Sequence, residues 1–473
     1  MTTDALSDTP HPGRKSRMRI AAIGAALTVL AAAGSAMAED PVGDWQGTLK
    51  TSGGALRLAV HIHKTPAGGY DGALDSLDQN ANGIPLAAVT SDGTKLSFTV
   101  PSAGARYDGT WSDTAHQWVG EFNQGGTGLA LTLTRGAAPP AKAVAYRTAP
   151  WPYTEHEVTV AGKTAGVTLA GVLTTPDGPG PFPAAVLIAG SGRNNRDEEV
   201  LGHPIFAVIA DHLARHGIAV LRYDKRGVGA SSGDYSAATS TDFAADADAA
   251  ATFLATQPKI DARHIGLVGH SEGGIVAPMV ARSDPHIAFV VLMAGPGVNG
   301  DAIIMAQLRA ILVASGAPPA TVDDQAAKQR RILDIVEKAP DHASAVAAAV
   351  AELRAMGLPD AQADVQARQV GSDWYRFFLA YDPAPALRAL HVPVLVMIGS
   401  KDTQVPPDQN LPALRAALAG NPDATVVELP GLNHLFQTAT TGSPNEYGQI
   451  AEHVSPTALD RLSDWIVRHA GGR

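Results

Sequence analysis

The sequence predicts an α/β protein with a mostly parallel, doubly wound sheet and a helical insertion, preceded by a small antiparallel β domain. Three observations support this fold class. Residues 41–136 alternate apolar and polar positions with the period of a β-strand. From residue 151 onward, short apolar runs alternate with helical patterns, as in parallel sheets covered by helices on both faces. Between about residues 300 and 380 this alternation stops, and the chain is Ala-rich and helical in period.

The overall composition limits the possible functions. The chain of 473 residues can form two or three domains, and 45% of its residues are hydrophobic, which permits a sizeable core. A formal charge of −10 without any long basic run argues against nucleic acid as a partner. The absence of cysteine excludes disulfides, thiol catalysis and metal sites with cysteine ligands.

Residues 1–38 have the pattern of a signal peptide. Basic residues precede an apolar run at 20–34, and small residues stand at Ala36 and Ala38. We expect cleavage near Ala38 and export to the periplasm or the medium. An uncleaved anchor is the alternative, but the run of 15 residues is shorter than the ~20 that span a bilayer. No later segment is apolar enough to cross a membrane, so we expect a mature chain without a membrane span.

The β domain, residues 41–136, is expected to be a barrel-like or sandwich-like meander. In the stretch ALRLAVHIHK, Val60 and Ile62 face one side of a strand, while His61 and His63 face the other. A metal could use the two histidines, but the sequence places no third ligand, so we expect a solvated polar face and no metal. Three tryptophans are expected in the core: Trp45, Trp111 and Trp118.

An Ala- and Pro-rich linker, residues 137–150, separates this domain from the second one, residues 151–473. The predicted elements of the second domain are, in order, strand AAVLIAG, a helix over 201–215, strand IAVLRYD, a helix over 242–256, and strands HIGLVGH and IAFVVLMAG. The insertion at about 300–380 follows, and strand PVLVMIG then resumes the sheet. We interpret the insertion as a helical cap over the strand ends, with a plain structural insertion as the alternative.

Two serines have glycines at positions minus two and plus two, which is the spacing of a nucleophile elbow. Ser271, in GHSEGG, follows an apolar strand and precedes a helical pattern, whereas Ser231, in GVGASSG, lies in a polar loop. An elbow needs small neighbours because its serine backbone is strained, and Gly269 and Gly273 supply them. Ser271 is therefore the predicted nucleophile.

A serine nucleophile needs a histidine as general base and an acid that orients the histidine. Asp402 follows a predicted strand directly, and His434 follows another strand, ATVVEL, through the loop-like approach Gly-Leu-Asn. The order Ser, Asp, His is that of an α/β-hydrolase triad. Other residues considered for the base or the acid lie in predicted helices, turns or strand edges, which account for them without a catalytic role. They are His391, His453, His469, Asp382 and Asp408. The oxyanion hole needs two backbone N–H donors. We expect one from Glu272 and the other from Ser191 or Gly192, with Ser191 preferred.

From about residue 150 to its end, the chain resembles the α/β-hydrolase superfamily, and within it the bacterial EstD-type esterases and related serine aminopeptidase-like hydrolases. Five motifs carry the resemblance: AGSGRNNRD, RYDKRGVGASSGD, GHSEGG, GSKDTQVP and GLNHLFQ. The resemblance implies an α/β-hydrolase fold, a triad of Ser271, Asp402 and His434, and hydrolysis of carboxylic esters with short acyl chains. It also implies that Ser231 is a bystander. No cofactor or metal is required.

Two other functions remain open from the sequence. An exported aminopeptidase, or another amide or thioester hydrolase, would use the same triad, and acidic cap residues such as Glu337 and Glu352 could hold a substrate ammonium. A non-catalytic binding protein with a relict triad is the alternative from another class. The expected partner is a small-molecule ester. The sequence does not indicate an oligomeric state.

Overall fold

The structure is a computed structural model that describes residues 39–51, 54–76, 81–124, 127–136 and 149–470. The predicted signal peptide and residues 137–148 of the predicted linker lie outside the described residues, so export stays a prediction. The described residues belong to one compact unit. In this part of the chain, no helix is both long and apolar enough to span a membrane.

Nine strands form the N-terminal β domain: β1 (Gly43–Thr51), β2 (Gly54–Lys64), β3 (Tyr70–Ser76), β4 (Ala81–Pro85), β5 (Ala87–Ser91), β6 (Lys95–Val100), β7 (Ala105–Ser112), β8 (Gln117–Gln124) and β9 (Thr127–Arg135). A short 3-10 turn, Pro101–Ala103, joins β6 to β7. Neighbouring strands pair antiparallel, and β1 also pairs with β9. Strands β4 and β5 are nearly continuous, because only Leu86 lies between them. Strand β4 pairs with β3 and strand β5 pairs with β6, so this stretch joins the two ends of the meander. The meander therefore closes into a barrel.

The barrel interior is filled by side chains from the inward face of each strand. Trp45 and Trp118 are fully buried, and Trp111 packs on Trp118 with ring centroids 5.1 Å apart, as expected for core tryptophans. On the outer face, the His61 ring lies 2.7 Å from an Asp44 carboxylate oxygen. No group of three or more His, Asp or Glu side chains among the described residues is arranged to hold a metal ion.

The second sheet contains eight strands in the order β10-β11-β15-β12-β16-β17-β18-β19. Their bounds are β10 (Tyr153–Ala161), β11 (Thr168–Pro176), β12 (Phe182–Ile188), β15 (Ala219–Tyr223), β16 (Ile260–His270), β17 (Ile287–Met293), β18 (Val394–Gly399) and β19 (Ala424–Leu429). A separate two-stranded ribbon consists of β13 (Glu199–Val200) and β14 (His203–Pro204). Strand β11 is antiparallel to both neighbours, and from β15 to β19 all strands are parallel.

Helices cover both faces of this sheet. The bounds of those outside the insertion are α1 (Ile205–Arg215), α2 (Ser240–Ala255), α3 (Gly273–Ala281), α10 (Pro407–Ala417) and α11 (Pro456–His469). Alternate residues of β12 show the two faces: Val186 packs in the cluster with α2, α3 and α10, whereas Leu187 packs in the cluster with α1 and α11. The predicted fold class, a doubly wound and mostly parallel sheet, is confirmed.

The chain between β17 and β18 forms the helical insertion. Its helices are α4 (Gly300–Ala314), α5 (Pro319–Lys338), α6 (His342–Ala355), α7 (Asp360–Val370), α8 (Asp373–Ala380) and α9 (Ala384–Arg388). A small core of its own includes Leu333, Val336 and Leu353. Helix α7 also touches the barrel, where the Gln362 amide donates to the Gly104 carbonyl at 2.8 Å.

The predicted helix over 201–215 is wrong in its first four residues. The β13–β14 ribbon occupies residues 199–204, and α1 begins at Ile205. Pro204 explains the difference, because a proline disfavours the helical conformation of the residue before it, here His203. The predicted helix over 242–256 corresponds to α2, which begins two residues earlier at a capping box between Thr239 and Asp242.

Candidate active site

Ser271 lies in the sharp turn between β16 and α3. Its φ is 53°, in the left-handed region, which costs a residue other than glycine about 1 to 2 kcal/mol. The neighbouring strand β17 stabilises the turn, since the Ser271 N–H donates to the carbonyl of Met293 in that strand at 2.9 Å. The side chain is half-buried. This is the strand-turn-helix context that the GHSEGG motif predicts.

The two glycines that flank Ser271 have no room for a side chain. A Cβ on Gly269 would lie 2.0 Å from the Gly273 carbonyl oxygen, and one on Gly273 would lie 2.0 Å from the Ile188 carbonyl oxygen. Both clashes are with backbone atoms that cannot rotate away. The glycines therefore permit the close contact of β16, α3 and β12 at the turn.

The structure brings Asp402 and His434 together. Asp402 follows β18, His434 follows β19, and the His434 Nδ1 lies 2.8 Å from the Asp402 Oδ2, with both side chains buried. The other carboxylate oxygen accepts the backbone N–H groups of Gln404 at 2.9 Å and Val405 at 2.8 Å. This arrangement fixes the ring so that Nδ1 carries the proton and Nε2 is free to accept one.

The loop after β12, which contains Ser191 and Gly192, lies next to Ser271. A Cβ on Gly190 would be 3.0 Å from the Ser271 Cβ. Within the described residues, no hydrogen bond uses the N–H of Ser191 or of Glu272. These two N–H groups are thus available to a ligand at the strand ends.

Solved structures that match part of this chain include an esterase from Pyrococcus furiosus and a proline iminopeptidase from Mycobacterium smegmatis. The esterase is 15% identical with a TM-score of 0.44, and the match covers 67% of this chain and 92% of that one. The iminopeptidase is 18% identical with a TM-score of 0.42, and the match covers 67% of this chain and 99% of that one.

Sequence comparisons are more specific. The family model described as "Serine aminopeptidase, S33" (Hydrolase_4) matches residues 204–438, a range that includes Ser271, Asp402 and His434. Esterase EstD of Thermotoga maritima is 28% identical over 320 residues, which cover 67% of this chain and 69% of the relative. The chain has the α/β-hydrolase fold. Within this fold, the chain is similar to serine hydrolases of the esterase type.

The hydrolase has a buried Glu198–His270 pair beside the elbow that the sequence motifs do not indicate. His270 precedes Ser271, and its Nδ1 lies 3.0 Å from the Glu198 Oε1, while its Nε2 donates to the His434 carbonyl at 3.0 Å. Burial alone favours the neutral ring, but the Glu198 carboxylate and the His434 carbonyl raise the pKa of His270 above its usual value. Glu198 also accepts the Gly190 N–H at 2.6 Å. The pair therefore ties together the loops that carry Ser271, His434 and Ser191.

A second buried group surrounds the side chain of Glu272. The carboxylate accepts hydrogen bonds from Ser240 Oγ and Trp374 Nε1, each at 2.6 Å, and it forms an ion pair with Lys225 Nζ at 3.1 Å. Trp374 belongs to α8 of the insertion, so the insertion contacts the residue that directly follows Ser271. This contact supports the interpretation of the insertion as a cap.

Ser231 of this hydrolase is occupied by structural hydrogen bonds. Its hydroxyl donates to the Asp224 carbonyl at 2.7 Å and accepts the Ala170 N–H at 2.9 Å, and the residue is buried. In the same loop, the Asp224 carboxylate binds Arg196 and Arg226 pairs with Asp246. These contacts explain the second Gly-x-Ser-x-Gly match as a rigid turn.

The residues missed from the sequence are charged and close to motifs that were recognised there. Lys225 lies within RYDKRGVG, Glu198 follows GSGRNNRD, and His270 directly precedes the nucleophile; for Glu272 the sequence indicates the backbone N–H but not the buried side-chain contacts. Charged residues beside an apolar strand are the one signal that could have drawn attention to them. These residues pair with partners far away in the sequence, and the periodicity of a sequence does not indicate which distant residues meet.

Proposed function

We propose that the protein is a serine hydrolase that cleaves carboxylic esters with short acyl chains through Ser271, His434 and Asp402. The observation that carries the proposal is the buried bond of 2.8 Å between His434 and Asp402, on loops next to the strained turn of Ser271. The His270 and His434 rings, with centroids 4.9 Å apart, bring the histidine loop against that turn. These features match the requirements of a nucleophile, a base and an orienting acid.

The reaction would proceed in two acyl-transfer steps. His434 Nε2 removes the proton of Ser271 Oγ as the oxygen attacks the ester carbonyl, and the same nitrogen then protonates the leaving alcohol. A water molecule, activated in the same way, releases the acid from the acyl-enzyme. Asp402 stabilises the imidazolium that forms in each step.

The negative oxygen of each tetrahedral intermediate needs backbone donors. The proposed donors are the N–H groups of Glu272 and Ser191. We favour Ser191 over Gly192 because the peptide that carries the Ser191 N–H is fixed, with its Gly190 carbonyl accepting hydrogen bonds from Lys225 at 2.7 Å and from Asn194 at 2.8 Å. Glu272 precedes α3, so its N–H also benefits from the positive end of that helix.

Aminopeptidase activity is the competing function, since the matching family model is described by that activity. An aminopeptidase needs an unpaired acidic group that holds the substrate ammonium. Glu352, one of the two cap acids considered above, pairs with Arg331, whereas the other, Glu337, shares Arg330 with Asp301 and Asp334. The cluster around Glu337 thus holds more carboxylates than cations, so the cap acids do not decide between the two activities and the substrate panel must.

A substrate panel tests the proposal. We expect rapid release of nitrophenol from acetyl and butyryl nitrophenyl esters, with slower turnover of long-chain esters and of aminoacyl nitroanilides. Rapid nitroaniline release with inert esters would contradict esterase function and support the peptidase alternative. Slow turnover of both classes, with no covalent labelling of the folded protein, would support the non-catalytic alternative.

A further inference from the structure

Lys225 contacts both parts of the chain that carry the proposed oxyanion donors. Its ammonium donates to the Gly190 carbonyl at 2.7 Å and pairs with the Glu272 Oε2 at 3.1 Å. The ring of Phe243 lies 4.1 Å from the same nitrogen. The side chains of Lys225 and Glu272 are only 5% and 1% exposed. Lysine is seldom buried to this degree, and here its charge is compensated at a defined place.

The contact with Gly190 sets the direction of the Ser191 N–H. Because the peptide group is planar and trans, the Gly190 carbonyl and the Ser191 N–H lie in one plane and point in opposite directions. The carbonyl accepts Lys225 Nζ and, at 2.8 Å, Asn194 Nδ2. The Ser191 N–H is consequently directed away from Lys225. The preceding N–H, on Gly190, is bonded to Glu198, so this peptide is held from both sides.

The contact with Glu272 acts on the other donor. The Glu272 side chain is fixed by three groups, Ser240, Trp374 and Lys225, and the backbone N–H of the same residue directly follows Ser271. A single ammonium therefore links the Ser191 peptide to the residue that carries the second N–H. Movement of either donor would require a change in the buried ion pair.

We propose that Lys225 is a positioning residue that sets the separation and direction of the two oxyanion donors. This inference rests on the proposed function, and it adds a residue from the loop after β15 to the catalytic arrangement. Lys225 does not touch the substrate. It holds Ser191 and Glu272 so that both N–H groups can donate to the substrate carbonyl oxygen once the carbonyl carbon has become tetrahedral.

The test compares two double variants that each remove one buried ion pair. Lys225→Met with Glu272→Gln removes the proposed positioning pair without leaving an uncompensated buried charge. Arg226→Met with Asp246→Asn removes the adjacent pair, which is similarly buried at 5% and 2% exposure, and also the contact of Arg226 with the half-exposed Asp242; neither contact involves the elbow. For each variant we would measure kcat and KM for nitrophenyl butyrate, the melting temperature, and inhibition by a trifluoromethyl ketone, which forms an anionic tetrahedral adduct.

We expect the first double variant to lose about 10²-fold in kcat with little change in KM, because donor alignment matters only in the transition state. The inhibition constant for the ketone should rise in parallel. The second variant should lose melting temperature but keep kcat within about threefold and its ketone affinity. A kcat within threefold of wild type for the first variant, or equal kcat losses in both, would overturn the proposal.

Should the first double variant fail to fold, Lys225→Arg decides the question. A guanidinium can keep an ion pair with Glu272, but its planar fork does not reproduce the single ammonium contact with Gly190. We expect a folded protein with about tenfold lower kcat and unchanged KM, and wild-type kcat would overturn the inference. A wild-type protein that neither hydrolyses esters nor binds the ketone would overturn the proposed function itself, together with this inference.

Discussion

Replacement of Asp402 by Asn examines how His434, the proposed general base, is oriented. The Asp402 Oδ1 accepts two backbone N–H groups, from Gln404 and Val405, while the Oδ2 faces His434 Nδ1. An asparagine that keeps the two backbone bonds must point its NH₂ at His434. The histidine Nδ1 then has to accept a hydrogen bond, which leaves the proton on Nε2, where it cannot receive the Ser271 proton.

The structure also indicates how strongly this wrong tautomer is favoured. Rotating the amide by 180° would restore an acceptor to His434, but it would break both backbone bonds, at about 1 kcal/mol each, and place an NH₂ against two N–H donors. Few molecules would adopt that orientation. We therefore expect kcat to fall by about 10³- to 10⁴-fold, as for the equivalent change in other Ser-His-Asp triads.

The assay is hydrolysis of nitrophenyl butyrate, with circular dichroism and thermal melting to confirm the fold. Asp408→Asn is the matched control, because Asp408 is exposed in the first turn of α10 and contacts neither His434 nor Ser271. The control should keep full activity, and the melting temperature of the Asp402→Asn variant should stay close to that of wild type. Retention of more than about a tenth of wild-type kcat by Asp402→Asn would refute the proposed role of the carboxylate.

Three further predictions concern stability around the elbow. Ser231→Ala should lower the free energy of unfolding by about 1 to 3 kcal/mol in urea titrations, because it leaves a backbone N–H of β11 unpaired, yet kcat should stay near wild type. Gly269→Ala should cost about 3 kcal/mol or more, since its Cβ would lie 2.0 Å from the Gly273 carbonyl oxygen; an unchanged melting temperature would contradict this close approach of β16 and α3. Glu198→Gln should remove the largest of the interactions that raise the pKa of His270. Because that pKa is higher in the folded than in the unfolded protein, the ion pair stabilises below about pH 6.5 and its contribution is lost as pH rises through the folded value. The melting-temperature difference from wild type should thus be largest near pH 6 and shrink toward pH 9, and a difference that grows with pH would be inconsistent with the pair.

The fold was predictable because its signals are local. The alternation of strand and helix patterns after residue 150, and the period of two before residue 136, follow from which faces of each element are buried. Closure of the barrel was not predictable, since it depends on the break at Leu86, where the chain passes from pairing with β3 to pairing with β6. The start of α1 was mispredicted because a helical pattern was extended through Pro204.

The candidate site was predictable in its backbone positions and not in its polar network. Ser271, Asp402 and His434 could be chosen because each lies in the loop that follows a strand of a parallel sheet, where such loops converge. The Glu198–His270 contact joins residues 72 apart in sequence, and the Lys225–Glu272 contact joins residues 47 apart. No periodic pattern reports which buried charges meet across such separations.

Covalent labelling by a fluorophosphonate, with the modified residue located by peptide mass spectrometry, tests the central claim most directly. The reagent reacts with a serine only when a neighbouring base activates it. We predict one adduct on Ser271 in wild type, an unlabelled Ser271→Ala variant, and normal labelling of Ser231→Ala. A folded wild-type protein that stays unlabelled, or an adduct that maps to Ser231, would contradict the assignment of Ser271 as the activated nucleophile.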